Sequence, residues 1–166
     1  MDIGHFYFLN DQYYIDFDDE KLMTNKDMIN GVPHNRPCFY AVQDTKTGIY
    51  WMIPISSQVS KYKAIYRKKT QSGKQCDTLV FGQVLGRESV FLIQNMCPVS
   101  QQYIANEYID RVHKCPVKVK YELEQELKKK TKKVLALQRQ GKKIIFPDVL
   151  DIEQKLISQQ KDLKQV

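Results

Sequence analysis

The apolar residues of this chain change their spacing near Ser100, and this change constrains the fold more than any other feature. Before that point, short apolar runs bounded by turn-forming residues recur at the length of β-strands: His5–Leu9, Cys38–Val42, Ile49–Ile53, Asp77–Val84 and Val90–Gln94. After it, apolar residues recur every three or four positions, as on one face of a helix. This order predicts a single α+β domain over residues 1–166, with a curved antiparallel sheet first and helices last.

Two short features refine the predicted sheet. Asn10 or Asp11 can cap a helical turn that reaches Asp16, because their side-chain oxygens accept from free backbone donors. Gly48 can take a positive φ, which suits the turn of a β-hairpin between the second and third apolar runs.

Two further segments are expected to interrupt the sheet. The segment from Asp18 to Pro37 is polar and contains Asn30-Gly31 and Pro33, so it predicts a loop. Pro54 lacks a backbone donor and is expected to end the ladder of the run Ile49–Ile53.

Three helices are expected after Ser100. Residues 103–108 have the spacing of a short first helix. A long helix follows Pro116 and ends near Gly141, a residue that suits a helix C-terminus. Pro147 and Asp148 open a last helix. The apolar face of the long helix consists of Leu123, Leu127, Val134 and Leu137.

The formal net charge of +7 is unevenly distributed along the chain. Residues 1–50 carry a net charge of −4, residues 51–100 carry +5 and residues 101–166 carry +6. A one-sided positive field of this kind suits a polyanionic partner such as a nucleic acid. A solvated lysine-rich surface is the alternative interpretation.

Several classes of protein are not supported by the sequence. The cysteines are far apart and unaccompanied by histidines at ligand spacing, so buried free thiols are expected rather than a zinc site. No apolar run reaches the length of a membrane span and the start lacks a basic signal region, so a cytoplasmic protein without a membrane partner is expected. The acidic residues at 16 and 18–20 could hold a divalent ion, although such runs are usually loop charge.

The sharpest local feature is the tetrapeptide Pro54-Ile55-Ser56-Ser57. A hydroxyl at a strand end can donate to a phosphate oxygen and hold it in line for attack. In RNA the attacking group can be the substrate's own 2′-OH, so the protein has to supply position, positive charge and proton transfer. Ser56 and Ser57 suit the first need, and Lys61 and Lys63 suit the second. The alternative is an ordinary serine turn.

His34 and Arg36 stand just before the run Cys38–Val42. If that run pairs with Ile49–Ile53 in a hairpin, its start lies beside the end at which the serines leave. Arg36 could then bind two phosphate oxygens through its guanidinium group. His34 is a candidate general acid or base, or a surface residue.

Cations and aromatic rings alternate after the serines. Tyr62 and Tyr66 are candidates for stacking on bases, although the segment also fits an amphipathic edge strand or helix. The cations that could bind RNA backbone here are Lys63, Arg67, Lys68 and Lys69, together with Lys129, Lys130 and Lys133 of the long helix. A solvated helix face is the alternative for the last three.

Taken together, these motifs resemble the ToxN/AbiQ family, including its CptN-like branch: endoribonuclease toxins of type III toxin–antitoxin systems. The resemblance rests on the opening FYFLNDQYYIDFDD, on Arg36-Pro37 before a strand, on Pro54-Ile55-Ser56-Ser57 followed by lysines, and on the segment Leu92–Val99. The order and spacing of these motifs extend over most of the chain.

The resemblance implies a compact barrel-like antiparallel sheet, similar to the Kid/MazF toxins, with added helices. It implies cleavage of mRNA without metal or other cofactor, leaving a 2′,3′-cyclic phosphate. It further implies inhibition by a small repetitive structured RNA, which the toxin cuts into units and binds in closed RNA–protein assemblies. Growth arrest and phage defence would follow. A non-catalytic module that binds RNA or DNA is the alternative.

The resemblance also implies roles for individual residues. The serine-turn role falls on Ser56 and Ser57, and the basic role before the strand falls on Arg36. The family usually places Pro-Lys directly after the serines, whereas Gln58-Val59-Ser60 intervene here before Lys61. Lys61 is favoured over Lys63 as the catalytic lysine.

Overall fold

A computed structural model describes residues 1–29 and 31–164 of this chain, with side chains up to Asp162. The helices are α1 (Asp11–Asp16), α2 (Val59–Thr70), α3 (Tyr121–Arg139) and α4 (Val149–Lys164). The strands are β1 (Phe6–Leu9), β2 (Lys26–Ile29), β3 (Val32–Asn35), β4 (Pro37–Gln43), β5 (Tyr50–Ser56), β6 (Leu79–Val84), β7 (Arg87–Leu92), β8 (Cys97–Val99) and β9 (Ile104–Glu107).

Seven strands form one antiparallel sheet in the order β6-β7-β5-β4-β1-β9, with β8 paired to β5. Strands β2 and β3 form a separate hairpin. The predicted α+β class is therefore confirmed, with a mostly antiparallel sheet and four α-helices among the described residues. The strand pairings among the described residues do not join β6 to β9, the two edge strands of the sheet. Closure of the sheet into a barrel therefore remains an expectation.

The predicted hairpin between Cys38–Val42 and Ile49–Ile53 is confirmed as β4 and β5, with Phe39 opposite Ile53. Its inner face contributes Phe39 and Trp51, both 0% exposed, to the main core. Phe39 contacts the ring of Phe91 edge-on at 5.7 Å between centroids. This packing fixes the direction in which the end of β5 leaves the core.

The expectation that Pro54 ends the regular ladder is confirmed for the pairing of β5 with β4, but the strand itself continues to Ser56. Pro54 lies opposite Cys38 within the pairing of β4 and β5, and Ile55 and Ser56 then pair with β7. The proline, which has no backbone donor, stands where β5 changes its partner strand. Strand β5 therefore extends past its last pair with β4 and remains paired with β7 up to Ser56, directly before Ser57.

The predicted polar loop over residues 18–37 is wrong for its second half, which forms β2 and β3. Met28 pairs with Pro33 in this hairpin, while Asn30, part of the predicted turn, lies outside the described residues. Only Asp27 of β2 is buried, so the segment lacks the apolar alternation by which strands are usually recognised.

The helix predicted over residues 103–108 is also wrong. Gln101–Tyr103 forms a single 3₁₀ turn, and β9 follows and pairs with β1. The Tyr103 ring packs against the rings of Tyr13 and Phe17, with 5.4 and 5.5 Å between the ring centroids. The aromatic residue that suggested a helix is therefore explained by this contact. Tertiary packing overrides the local pattern here.

Helices α1, α3 and α4 follow the predicted pattern, and the segment after the serines, which fitted either an edge strand or a helix, forms α2. Asn10 caps α1 by accepting from the Tyr13 backbone N–H, and α3 buries Leu127 and Val134 completely. Helix α3 lies so close to β6 that a Cβ on Gly82 would be 2.2 Å from a Leu123 methyl group. None of the helices in the described residues is long and apolar enough to cross a membrane. The cysteines are all free; Cys115 is exposed and the other three are buried.

Candidate active site

Arg36 lies in the bend between β3 and β4 and is only 4% exposed. Its Nη1 donates to the Ile55 carbonyl at 2.8 Å, its Nε donates to the Thr24 carbonyl at 3.0 Å, and Nη2 donates to the Lys26 carbonyl at 3.5 Å. The predicted proximity of Arg36 to the serines is therefore present. The guanidinium group lies beneath the end of β5 and fixes it to the segment before the β2–β3 hairpin.

Asp27, on β2, brings a buried carboxylate to the same place. Its Oδ1 lies 3.4 Å from Arg36 Nη2, and its Oδ2 accepts from the Ser57 hydroxyl at 3.5 Å. We call Asp27, Arg36, Ser56 and Ser57 the serine corner. Sequence reasoning missed Asp27 because its segment was interpreted as a loop. Asn30-Gly31, a favoured hairpin turn, is the sequence feature that could have revealed the pairing.

The two serines differ in accessibility. Ser56 is 3% exposed, and its Oγ accepts from the Gln58 backbone N–H at 3.2 Å, which closes the turn after β5. Ser57 is exposed. The Ser57 hydroxyl is therefore the one that a phosphate can reach, while Ser56 shapes the turn.

Helix α2 begins directly after the corner and directs its positive end toward it. The capping position, Gln58, makes no side-chain bond to the helix, and the first turn contains no acidic residue. Free N–H groups and the helix dipole at such an end favour an anion. Lys61, exposed in the first turn, adds a full charge and lies 5.5 Å from the centroid of the Tyr62 ring.

The second lysine of this helix has a partner. Lys63 Nζ lies 2.9 Å from a Glu88 carboxylate oxygen, whereas Lys61 forms no ion pair with any acid in the described part of the chain. Lys61 is therefore the lysine whose charge is available beside Ser57.

The tyrosines of α2 are not arranged as a stacking surface. Tyr62 is 7% exposed and packs with Leu79, Val90 and Leu92, and this burial raises the pKa of its hydroxyl. The expectation that Tyr62 stacks on bases is wrong in this structure, because its ring lies inside the protein. Tyr66 is half-buried, with its ring edge-on to Phe81 at 5.7 Å.

His34 lies on β3, directly opposite Asp27 in the hairpin register, and is exposed. It is therefore on the strand that borders the serine corner rather than in the predicted loop. This position leaves the imidazole ring accessible to a ligand at the corner's edge.

The predicted RNA-binding cations of α2 and α3 approach each other at Asp77 and Thr78. Lys69 Nζ donates to Thr78 Oγ1 at 3.0 Å, and Lys133 Nζ lies 2.5 Å from Asp77 Oδ2. The other cations are either exposed (Arg67, Lys68 and Lys129) or paired with an acid, as Lys130 is with Glu126 at 2.7 Å. Lys69 of α2 and Lys133 of α3 thus contact adjacent residues of the segment that connects α2 to β6.

The acidic run at residues 16–20 is used within the protein. Asp16 accepts from the Tyr103 hydroxyl at 2.7 Å, and Asp19 accepts from the Asp148 backbone N–H at 2.7 Å. Across residues 1–29 and 31–164, no group of three or more His, Cys, Asp or Glu side chains is arranged to hold a metal ion.

Comparison with known proteins gives a match in structure only. No protein-family model matches the sequence, and no curated protein sequence is similar to it. Among solved structures, the chain is similar to AbiQ, described as a lactococcal anti-phage endoribonuclease belonging to the type III toxin–antitoxin system. The TM-score is 0.65 and the identity 18%, over 95% of this chain and 98% of AbiQ. This chain therefore has the AbiQ fold from end to end.

Proposed function

We propose that this protein is the endoribonuclease toxin of a type III toxin–antitoxin system and a member of the ToxN/AbiQ family. The observation that carries the proposal is the end-to-end structural match to AbiQ, an anti-phage endoribonuclease. The serine corner supports it independently, since an exposed serine hydroxyl directly precedes a helix N-terminus whose first turn carries an exposed lysine with no acidic partner among the described residues.

In the proposed reaction the substrate's 2′-oxygen attacks the adjacent phosphorus. A bond forms between O2′ and phosphorus while the bond from phosphorus to the 5′-oxygen breaks, leaving a 2′,3′-cyclic phosphate and a 5′-hydroxyl. The 2′-OH gives up its proton and the leaving 5′-oxygen takes one. This chemistry needs no metal, because the protein's fixed donors and cations stabilise the developing charge.

Each residue of the corner has a role in this scheme. When the substrate binds, the Ser57 hydroxyl turns its single hydrogen from Asp27 to a non-bridging phosphate oxygen. Lys61 stabilises the charge that develops on the phosphorane. Arg36 and Ser56 are positioning residues, because both are buried and their bonds hold the end of β5. Asp27 orients the Ser57 hydroxyl. His34, exposed opposite Asp27, is the candidate for proton transfer.

The basic residues of α2 and α3 would bind RNA backbone, with Lys68, Arg67 and Lys129 exposed for this purpose. The same surface would bind a small repetitive structured RNA as antitoxin, which the toxin processes and holds in an RNA-bridged assembly of several units. In the cytoplasm, release of the toxin from this RNA would expose mRNA to cleavage, arrest growth and limit phage multiplication.

The proposal is tested by incubating RNA with purified protein in EDTA. Wild type and Ser158→Ala, which alters an exposed serine of α4, should cleave, while Ser57→Ala should lose cleavage and keep RNA binding. Equal cleavage by Ser57→Ala would contradict the assigned site. RNA binding without cleavage by wild type would instead support the non-catalytic module, and dependence on added metal would oppose the proposed chemistry.

A further inference from the structure

Phe146, in the connection between α3 and α4, is an aromatic residue that the proposed site does not use. Its side chain is 50% exposed, while its neighbours Ile145 and Pro147 are buried. The backbone around it is fixed, since the Gln138 side-chain oxygen accepts from the Ile144 and Ile145 N–H groups at 2.8 and 3.0 Å. The exposed ring is thus held on a rigid support, which limits the entropy lost when a ligand stacks on it.

Gln94 is hydrogen-bonded both to the Phe146 backbone and to the Lys69 ammonium group. Its backbone carbonyl accepts from the Phe146 N–H at 2.8 Å, and its side-chain oxygen accepts from Lys69 Nζ at 2.7 Å. Among the described residues the side-chain partners of Lys69 are Gln94 and Thr78, and both are neutral. The ammonium group is therefore held in place with its charge uncompensated, unlike those of Lys63 and Lys133, which pair with carboxylates.

The charged residues nearest to Phe146 in the sequence are basic before it and acidic after it. Lys142 and Lys143 are exposed just before Phe146, whereas Asp148 follows it and its N–H donates to Asp19. A phosphate backbone near Phe146 would therefore be attracted by Lys69 and the two lysines and repelled by Asp148. An exposed ring and a positioned cation that are both bonded through one residue, Gln94, can bind one nucleotide of a single strand, with the base on the ring and the phosphate on the cation.

The segment from Lys21 to Thr24 links these residues to the serine corner. Asn95, next to Gln94, donates to the Lys21 carbonyl at 3.5 Å, and the Thr24 carbonyl, three residues further on, accepts from Arg36. Helix α2 separates the two places, since Ser57 precedes its first residue and Lys69 lies in its last turn. At a rise of 1.5 Å per residue the helix from Val59 to Lys69 alone is about 15 Å long, so an RNA strand that reaches both places must be several nucleotides long.

We infer that Phe146, Gln94 and Lys69 form a second nucleotide subsite, which stacks a base of the same single-stranded RNA whose phosphate lies at Ser57. The inference rests on the proposed function for the identity of that RNA. The subsite contributes affinity and substrate preference, while the chemistry stays at the corner.

The test measures binding of a short adenine-rich single-stranded RNA, fully 2′-O-methylated so that its 2′-oxygens cannot attack, at one fixed salt concentration. Phe146→Ala should bind about 5- to 150-fold more weakly than wild type, the range expected for loss of one base–aromatic stack. Phe146→Tyr should bind as wild type does. Val112→Ala, which alters an 81% exposed side chain elsewhere, is the matched control and should bind normally.

A spectroscopic arm observes the ring position directly. The chain's one tryptophan, Trp51, is 0% exposed, so Phe146→Trp adds an exposed emitter with a distinct red-shifted emission. RNA should quench this emission. With cleavable RNA, Phe146→Ala should raise KM and leave kcat near the wild-type value.

Unchanged affinity of Phe146→Ala, an equal loss in Val112→Ala, or unquenched emission of Phe146→Trp would overturn the inference, even if Ser57→Ala abolishes cleavage as proposed. Conversely, loss of binding in Phe146→Ala with no cleavage by wild type would support the subsite and count against the proposed enzymatic function. Absence of RNA binding by wild type would overturn both.

Discussion

The Ser57 hydroxyl donates to the Asp27 carboxylate at 3.5 Å, although the two residues are thirty positions apart in the chain. The same carboxylate faces Arg36 Nη2 at 3.4 Å. A buried acid thus connects the exposed hydroxyl of the corner to the buried cation that holds the end of β5. This arrangement makes Asp27 the residue that sets the direction of the Ser57 side chain.

Asp27→Asn should lower kcat by about 10- to 100-fold with little change in KM, because a small misplacement of a positioning group reduces the rate by such factors. The amide keeps the shape of the side chain but loses the charge opposite Arg36. Single-turnover cleavage of a saturating RNA measures the effect. Asp18→Asn, at an exposed position, is the control, and equal rates for the two variants would contradict the role of Asp27.

Arg36→Lys should destabilise the protein by about 2–4 kcal/mol. A lysine cannot reproduce the planar group that donates to the Thr24, Lys26 and Ile55 carbonyls, and it leaves one buried and two partly buried acceptors short of a partner. Urea unfolding followed by circular dichroism gives the free energy. Arg67→Lys, an exposed change on α2, should leave the midpoint nearly unchanged; a similar midpoint for Arg36→Lys would show that these bonds contribute little.

The two lysines nearest the serines should differ in effect. Lys61→Ala should reduce kcat by about 10²- to 10³-fold, the range for loss of one group that stabilises transition-state charge. Lys63→Ala should change kcat little, because Lys63 pairs with Glu88. Rates at saturating RNA distinguish them, and the reverse order would assign the catalytic charge to Lys63.

Tyr103→Phe should destabilise the protein at neutral pH and have a much smaller effect in strong acid. The hydrogen bond from the Tyr103 hydroxyl lowers the pKa of Asp16 below its ordinary value of 3.8. A carboxyl group whose pKa is lower in the folded than in the unfolded state stabilises the folded protein. This stabilisation is fully present at pH values above the unfolded-state pKa and is lost as the pH falls through the folded-state pKa. Melting temperatures at pH 7 and pH 2.5 measure this.

Tyr50→Phe is the control for that comparison, because the Tyr50 hydroxyl donates to the neutral side chain of Gln101. Its effect should not vary with pH. A constant effect of Tyr103→Phe across the same range would contradict the link to Asp16.

The hairpin that carries the corner could be predicted because both of its strands are apolar and its turn contains a glycine with φ of 73°. Antiparallel pairing then required the start of β4 to lie beside the end of β5, which placed Arg36 near the serines. The same regularity identified α3 and α4 through their buried apolar faces.

Asp27 could not be found in this way, because β2 has one buried residue and that residue is the acid itself. Its contacts are with Arg36, beyond the next strand, and with Ser57, which is distant in the sequence. Tyr62 shows the same limit, since basic neighbours suggested an exposed ring, whereas helix formation turned it toward Leu79 and Val90. Polar contacts of this kind are fixed by tertiary packing and leave little pattern in the sequence.

The central claim is that the substrate's own 2′-oxygen cleaves the RNA while Ser57 and Lys61 hold the phosphate. The most direct measurement replaces the single 2′-OH beside the mapped cleavage position with hydrogen and follows cleavage by wild-type protein in EDTA. We predict that this bond is no longer cut, and that the unmodified RNA yields a 2′,3′-cyclic phosphate and a 5′-hydroxyl. Undiminished cleavage of the modified RNA, leaving a 3′-hydroxyl and a 5′-phosphate, would contradict it.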